Sequence, residues 1–259
     1  MSRYLIMSRY LILTIILTFF TASCQKEIGK VENVKFFYDK EKTKIEKEGT
    51  VLKVGGLETG YWKLYFENGN LKSEGDYHGG RQTGDWKFYH ESGELMSKGK
   101  MIEGAKNGFW EQYFTNGKIA SQGNYDKGKE TGTWKYYYES GQLEQETDFV
   151  NGVLNGLVKN YYPNGQLMNK GSSLNGVKHG FMTTYWENGN VAGQNNFENG
   201  EMKGLYREYY KNGQLSVDGN WNIDKPIGEM KTYTEKGELK AVYVIDSIGE
   251  IIDKKILIE

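Results

Sequence analysis

The sequence predicts an all-β fold: an elongated, strongly twisted antiparallel array of β-hairpins, built from eight repeated units. Three observations support this prediction. A glycine recurs at a constant period of twenty-four without insertion or deletion, the second half of each unit alternates apolar and polar residues, and a turn-forming pair lies between the two halves. The recurring glycines are Gly60, Gly84, Gly108, Gly132, Gly156, Gly180, Gly204 and Gly228.

Each unit is predicted to be two strands joined by a tight turn. In the first unit, Leu71 to Tyr77 alternates apolar or small residues with charged ones, which is typical of a strand with one buried face. The preceding segment, Tyr61 to Phe66, is rich in aromatic residues and also favours a strand. Between them, Asn68-Gly69 supplies the positive φ angles of a tight hairpin turn, and a looser link from His78 to Thr83 leads onward. Because two strands alone bury too little surface, the hairpins must stack.

Two side-chain rows are expected to form the core of the repeats. The third residue of each unit is aromatic or apolar and predicts a continuous core seam: Trp62, Trp86, Trp110, Trp134, Val158, Met182, Tyr206 and Met230. The sixth residue is always tyrosine: Tyr65, Tyr89, Tyr113, Tyr137, Tyr161, Tyr185, Tyr209 and Tyr233. These two positions have opposite strand parity, so either a bulge brings both rows to one face or the tyrosines form a second, outward row.

The pattern Gly-x-Trp-x-x-Tyr-x-x-x-Gly-x-Leu followed by Gly-x-Tyr, from Gly60 to about Tyr243, resembles the MORN repeat superfamily. More specifically, it is similar to the variant found in bacterial YwqK-type antitoxins. The resemblance implies the hairpin ladder, no catalytic residues, and a role as a scaffold that contacts protein or lipid. The sequence departs from the pattern where Val158, Met182 and Met230 replace the tryptophan, and where Thr147 and Asn195 replace the late glycine.

Residues 1–23 are predicted to be a secretory signal peptide, because a basic start precedes an apolar run of ten residues. The segment Thr21-Ala-Ser-Cys24 resembles a bacterial lipobox, so Cys24, the sole cysteine, is expected to carry a lipid anchor. The predicted location is therefore the bacterial cell envelope, facing the periplasm or the surface. The doubled Met-Ser-Arg-Tyr-Leu-Ile leaves Met1 and Met7 as alternative start sites.

The remaining segments are assigned by their likeness to the repeat. Residues 24–35 are polar and are predicted to be a tether between membrane and fold. Residues 36–59 echo the unit with broken spacing and are expected to be a degenerate capping hairpin. The eight repeats then occupy 60–243, and 244–259 is predicted to end in a capping strand.

The sequence offers no constellation for catalysis. His78, His90 and His179 fall at three different repeat positions without a cysteine partner, so no metal, cofactor or enzymatic activity is expected. The formal net charge of −1 gives no argument for nucleic-acid binding. Lysines equivalent to Lys63 and glutamates equivalent to Glu67 form rows that we interpret as solvated, cross-strand paired charges.

The remaining functional candidate is an aromatic row at the seventh position of the units. Its members are Phe66, Phe114, Tyr138, Tyr162, Trp186 and Tyr210. These rings either stack as part of the sheet or form an exposed ladder that binds a partner protein or sugar rings. The leading hypothesis is a membrane-anchored, non-catalytic scaffold that binds another protein through an extended β face. The alternatives are a carbohydrate-binding envelope protein and an antitoxin-like protein that neutralises a toxin.

Overall fold

The structure is a computed structural model that describes residues 31–52 and 55–258, and all regular secondary structure in these ranges is β-strand. The predicted all-β hairpin-repeat architecture is therefore confirmed. The chain divides into two compact bodies, an N-terminal body that ends at Lys106 and a C-terminal body that begins at Asn107. In each body, successive strands pair in antiparallel fashion.

The N-terminal body contains β1 (Val31–Phe37), β2 (Ile45–Leu52), β3 (Glu58–Tyr65), β4 (Leu71–His78), β5 (Arg81–Tyr89) and β6 (Leu95–Ile102). The C-terminal body contains most of β7 (Ala105–Tyr113), followed by β8 (Ile119–Asp126), β9 (Lys129–Tyr137), β10 (Leu143–Val150), β11 (Val153–Tyr161), β12 (Leu167–Leu174), β13 (Val177–Tyr185), β14 (Val191–Glu198), β15 (Glu201–Tyr209), β16 (Leu215–Asn222), β17 (Lys225–Tyr233), β18 (Leu239–Ile245) and β19 (Ile251–Ile256).

The turn inside each repeat is less tight than the sequence suggested. In the β3–β4 hairpin, Phe66 N–H donates to the Asn70 carbonyl at 2.8 Å and Gly69 N–H donates to the Phe66 carbonyl at 2.9 Å. This is a three-residue loop in which only Gly69 has positive φ, at 90°. Asn68 keeps negative φ, and its side-chain oxygen instead accepts from the Asn70 N–H at 2.9 Å.

The links between repeats, predicted to be loose, are the tight turns. His78 pairs directly with Arg81, and the two loop residues between them, Gly79 and Gly80, have φ of 58° and 79°. Positive φ at both loop positions is the requirement of a type I′ turn, whose twist matches that of the flanking strands. The sequence prediction for the two kinds of turn was therefore reversed.

The invariant glycine of each repeat produces an irregularity in the strand pairing. Between β4 and β5, Glu74 pairs with Lys87 and Asp76 pairs with Thr83, so Gly75 alone faces Gly84, Asp85 and Trp86. Gly84 has φ of 69°, a left-handed conformation that a residue with a β-carbon rarely adopts. The bulge carries the tryptophan two residues later over the neighbouring strand.

The ends of the repeat region differ in detail from the predicted boundaries. β1 begins at Val31, inside the segment predicted to be a tether, and pairs along its length with β2. The reason is visible in the packing, since Phe36 stacks on Trp62 with ring centroids 6.3 Å apart. At the other end, β19 stops at Ile256 and pairs with β18.

Candidate functional site

The tryptophans are the buried centre of the repeats that contain them. Trp62, Trp86 and Trp110 have no exposed surface, and Trp134 is 1% exposed. The indole N–H of Trp86 donates to the carbonyls of Asp76 and Thr83, both at 3.1 Å. The only polar group of the buried ring, its N–H, is therefore hydrogen-bonded to backbone carbonyls of both strands at the bulge.

A ring from the neighbouring strand completes an aromatic triad at two places. In the N-terminal body, Tyr77 lies edge-on to Trp62 and Trp86, with centroids 6.0 and 5.1 Å away. In the C-terminal body, Tyr125 takes the same position between Trp110 and Trp134, at 6.2 and 4.9 Å. Edge-to-face contacts of this kind add stability beyond the area they bury.

The triad is missing from the middle of the C-terminal body. The positions equivalent to Trp62, Tyr77 and Trp86 are there occupied by Val158, Ser173 and Met182. A groove of about 280 Å3 lies at this place, lined on its apolar side by Leu154, Val158, Met182 and Phe197, and on its polar side by Asn160, Asn169, Ser172 and Lys178. The predicted core seam is thus filled by aromatic rings in the repeats that contain tryptophan, and it is open at Val158 and Met182.

The tyrosines of the sixth position lie on the face opposite the tryptophans, which decides between the two alternatives left by the sequence. The hydroxyl of Tyr65 donates to Glu48 at 2.7 Å, and that of Tyr89 donates to Glu74 at the same distance. Burial, the hydrogen bond to Glu48 and its charge raise the pKa of Tyr65 to about 12. The tyrosines are half-buried and form a second, outward row.

Carboxylates on the tyrosine face are held in their charged form. Burial opposes ionisation of Glu146, but a hydrogen bond from Tyr161 and the ammonium groups of Lys159 and Lys135 outweigh it and lower its pKa. The corresponding distances are 3.1 Å from the Tyr161 hydroxyl, 3.3 Å from Lys159 and 3.5 Å from Lys135. Lys87, Lys135 and Lys159 of the lysine row are therefore paired across strands, as predicted, whereas Lys231 pairs with Glu229 of its own strand.

The predicted glutamate row does not supply these partners. Glu91, Glu139, Glu187 and Glu235 lie in the loops between strands, so no cross-strand residue faces them. Their backbone carbonyls instead accept hydrogen bonds from an asparagine side chain of the preceding turn, as in Asn212 to Glu235 at 2.8 Å. Each of these bonds joins one turn to the next within its own body.

The predicted partner-binding row lies beside the same turns and is half-buried throughout. The hydroxyls of Tyr138, Tyr162 and Tyr210 each donate to the backbone carbonyl of the invariant tyrosine in the next repeat, at 2.7–2.8 Å. The Trp186 indole N–H does the same to Tyr209 at 3.0 Å. Phe66 and Phe114 have no such polar group, and Lys72 lies 5.7 Å over the Phe66 ring. The row thus joins neighbouring repeats, while Tyr162, Trp186 and Tyr210 also line two open clefts.

A surface that the sequence analysis missed lies at two successive links of the C-terminal body. Val150 and Val153 flank one link turn, and Leu174 and Val177 flank the next; each is 43–51% exposed. We call these four residues the apolar edge. The two turns are adjacent, because the Gly176 N–H donates to the Leu154 carbonyl at 2.8 Å. The signal was present in the sequence, since the equivalent positions one repeat earlier are Asp126 and Lys129, and one repeat later Glu198 and Glu201.

Other predicted features are either dispersed or outside the described ranges. His78, His90 and His179 lie in separate repeats, and the described residues contain no group of three or more metal-ligating side chains. Within those ranges, no helix has the length and apolar character to cross a bilayer. Cys24, the signal peptide at 1–23 and the alternative start sites lie outside the described residues.

Antiparallel hairpins that recur at a fixed period define the class of β-hairpin repeat proteins. A family model described as MORN repeat variant matches seven segments, at residues 58–78, 82–102, 106–127, 130–151, 154–175, 178–199 and 202–222. The chain therefore belongs to the MORN repeat variant family. The eighth period, which begins at Gly228, follows the last matched segment and forms β17 and β18.

Similar solved structures include the crystal structures of TcdB2-TccC3-Cdc42 and of TcdB2-TccC3. Each is 11% identical to this chain over 87% of it, with TM-scores of 0.22 and 0.20. This chain spans only 15% of the length of those chains. No curated protein matches the sequence.

Proposed function

We propose that this chain is a non-catalytic repeat scaffold that binds a partner protein, held at a bacterial envelope membrane by a lipid on Cys24. The observation that carries the partner-binding proposal is the apolar edge. Four aliphatic side chains stand exposed at positions where the neighbouring repeats carry charges. Clustered apolar residues rimmed by polar ones are typical of surfaces that become buried in a complex.

The charged side chains support the non-catalytic part of the proposal. Glu74 and Glu146 are ionised, and each accepts a hydrogen bond from a tyrosine hydroxyl and pairs with a lysine of an adjacent strand. General acid catalysis by a carboxyl group requires a raised pKa, whereas the pKa of each of these groups is lowered. Their role is to join strands.

The envelope anchor rests on the lipobox-like Thr21-Ala-Ser-Cys24 and on the basic, then apolar, segment that precedes it. An antitoxin role, as in YwqK-type proteins, is a more specific form of the partner-binding proposal. It is compatible with this location where the neutralised toxin is itself exported. In that case, the toxin would be the partner that covers the apolar edge.

Site-specific photo-crosslinking tests the proposal. A benzophenone side chain placed at Val177 in cells should give a defined adduct with an envelope protein. The same side chain at Lys129, the equivalent position two repeats earlier, is the matched control and should give none. Adducts of equal yield from both positions, or none from Val177, would contradict partner binding at the apolar edge.

A carbohydrate-binding function is favoured by one specific observation. The cleft at the hairpin-turn side of the C-terminal body combines the rings of Tyr162 and Trp186 with Glu187, Asn188 and Lys211, a mixture of aromatic and polar groups suited to sugar rings. However, Lys211 Nζ lies 5.6 Å over the Trp186 ring, so this cation already covers part of the stacking surface. A glycan array separates the two functions: sugar binding that is lost in Tyr162→Ala plus Trp186→Ala would favour carbohydrate binding.

A further inference from the structure

We propose that the groove at Val158, Ser173 and Met182 binds an aromatic side chain of a partner polypeptide, inserted next to an acidic residue of that partner. The inference rests on the proposed function and deepens it, because it names the chemistry that the partner presents. It concerns the tryptophan side of the C-terminal body, beside the apolar edge.

The chain itself shows what fits this position. In two of the repeats before the groove, an aromatic ring lies edge-on between two tryptophans, as Tyr125 does between Trp110 and Trp134. The groove is the same position with all three rings replaced by smaller side chains. Its volume of about 280 Å3 has room for a ring the size of indole, and Met182 is a flexible, polarisable side chain that adapts to one.

The backbone around the groove offers hydrogen-bond acceptors for such a ring. The carbonyls that hold the Trp86 indole N–H belong to Asp76 and Thr83. The equivalent residues are Ser172, which lines the groove, and His179, which follows the lining residue Lys178. They pair across β12 and β13 as Asp76 and Thr83 pair across β4 and β5. Among residues 31–52 and 55–258, no side chain donates to either of these carbonyls. An incoming indole N–H can therefore be satisfied.

Charge and continuity indicate an acidic polypeptide as the source of the ring. Lys178 lines the groove with its ammonium group 5.1 Å over the Phe197 ring, and within the described part of the chain it forms no ion pair. A carboxylate on the ligand would pair with it. Leu154 and Gly176, which also line the groove, are directly joined between the two turns of the apolar edge. A chain covering that edge can thus reach the groove with one side chain.

Methyl NMR on the full chain tests the inference, with the methionine methyl groups labelled and the Met182 signal assigned from Met182→Leu. The probe is the end-blocked peptide Gly-Asp-Trp-Gly, and the controls are Gly-Asp-Ala-Gly and Gly-Asn-Trp-Gly. The tryptophan peptide should shift the Met182 methyl through its ring current, and the alanine peptide should not. Lys178→Gln should weaken binding of the acidic peptide about 2- to 5-fold, the range of an exposed ion pair, and leave the asparagine peptide unchanged.

Ser173→Tyr is the deciding variant, because it restores the ring found at Tyr77 and Tyr125 and keeps the Met182 reporter. It should abolish the peptide-induced shift while the other methionine signals stay in place, which shows that the fold is intact. An unchanged shift in Ser173→Tyr, or no shift in the parent protein, would overturn the inference. If either result is found while the Val177 crosslink still forms, only the groove proposal fails. If the Val177 crosslink does not form but the peptide shifts the Met182 methyl of the parent protein and not that of Ser173→Tyr, only the proposed function is contradicted.

Discussion

A β-carbon added to Gly75 would lie 2.5 Å from Cδ2 of Trp86, so the absence of a side chain at one position makes room for the largest side chain at the other. The same relationship joins Gly123 to Trp134, where the distance would be 2.3 Å. Where Thr147 replaces the glycine, the residue that faces it from the following strand is Val158 rather than tryptophan. In these repeats a tryptophan therefore requires a glycine eleven residues before it for a steric reason, whereas the smaller Val158 tolerates a β-carbon opposite.

Substitution of Gly75 by alanine should destabilise the protein by about 1–3 kcal/mol, because the added methyl group has to displace a fully buried indole. Denaturant unfolding measures the change. Gly171→Ala is the matched control: its β-carbon would lie 3.3 Å from Cγ of Met182, a side chain that can move, and should cost less than about 1 kcal/mol. In a Trp86→Val background, the Gly75→Ala cost should shrink. Equal costs in all three measurements would show that the contact is unimportant.

The hydroxyl of Thr147 is buried and has no hydrogen-bond partner in the described chain. Thr147→Val keeps the shape and removes the unsatisfied group, so it should raise the free energy of unfolding by about 1 kcal/mol. Thr147→Ser keeps the hydroxyl and loses the methyl group, and should lower it. Thermal melting of the two variants beside the parent protein checks the sign. A valine variant less stable than the parent would mean that the hydroxyl is in fact satisfied.

Stability should fall at both extremes of pH. The folded pKa of Glu146 lies below its ordinary 4.5, so its contribution is present above that pH and is lost as the pH falls through the folded value. The pKa of Tyr65 is raised from 10.0 to about 12, so its contribution is present below pH 10 and is lost as the pH rises towards 12. Denaturant titrations across pH measure both limbs. Tyr161→Phe, which removes a hydrogen bond to Glu146, should flatten the acidic limb; an unchanged slope would argue against this pair as its source.

Lipid attachment at Cys24 is tested by metabolic labelling with palmitate. Label should appear in the parent protein, and globomycin, which blocks processing of lipobox proteins, should cause the precursor to accumulate. Cys24→Ser should remove the label, because the thiol is the acceptor. A serine variant that still carries label would refute the anchor.

The repeat period, the strand content and the aromatic seam could be predicted from the sequence because each follows from local pattern. The two kinds of turn were predicted the wrong way round, since the recurring pair, Asn68-Gly69 in the first unit, resembles the pair of a tight hairpin turn. The variable link pairs, such as Asn151-Gly152, are the ones with positive φ at both residues. Whether both residues of such a pair have positive φ depends on how the flanking strands pair, and the sequence of a single repeat does not specify that register.

The candidate site was predictable only in part. The absence of tryptophan at Val158 and Met182 was visible in the sequence. The groove also depends on Ser173, which replaces the ring found at Tyr77, and the alternation of residues does not show that Ser173 lies beside Val158 and Met182. The aromatic row was found by its spacing. Its hydrogen bonds to the next repeat, such as Tyr162 to Tyr185 at 2.8 Å, depend on how successive hairpins are offset.

Deletion of whole and half periods tests most directly the claim that neighbouring hairpins stabilise one another as interchangeable modules. Removal of one whole period, 204–227, joins Lys203 to Gly228 and restores the repeat spacing. It should give a folded, all-β chain of lower stability that still binds the tryptophan peptide. Removal of the half period 216–227 takes out all of β16 except Leu215, together with the first three residues of β17. It reverses the direction of every later strand, so this chain should lose cooperative unfolding. Equal behaviour of the two deletions in denaturant unfolding would contradict the account.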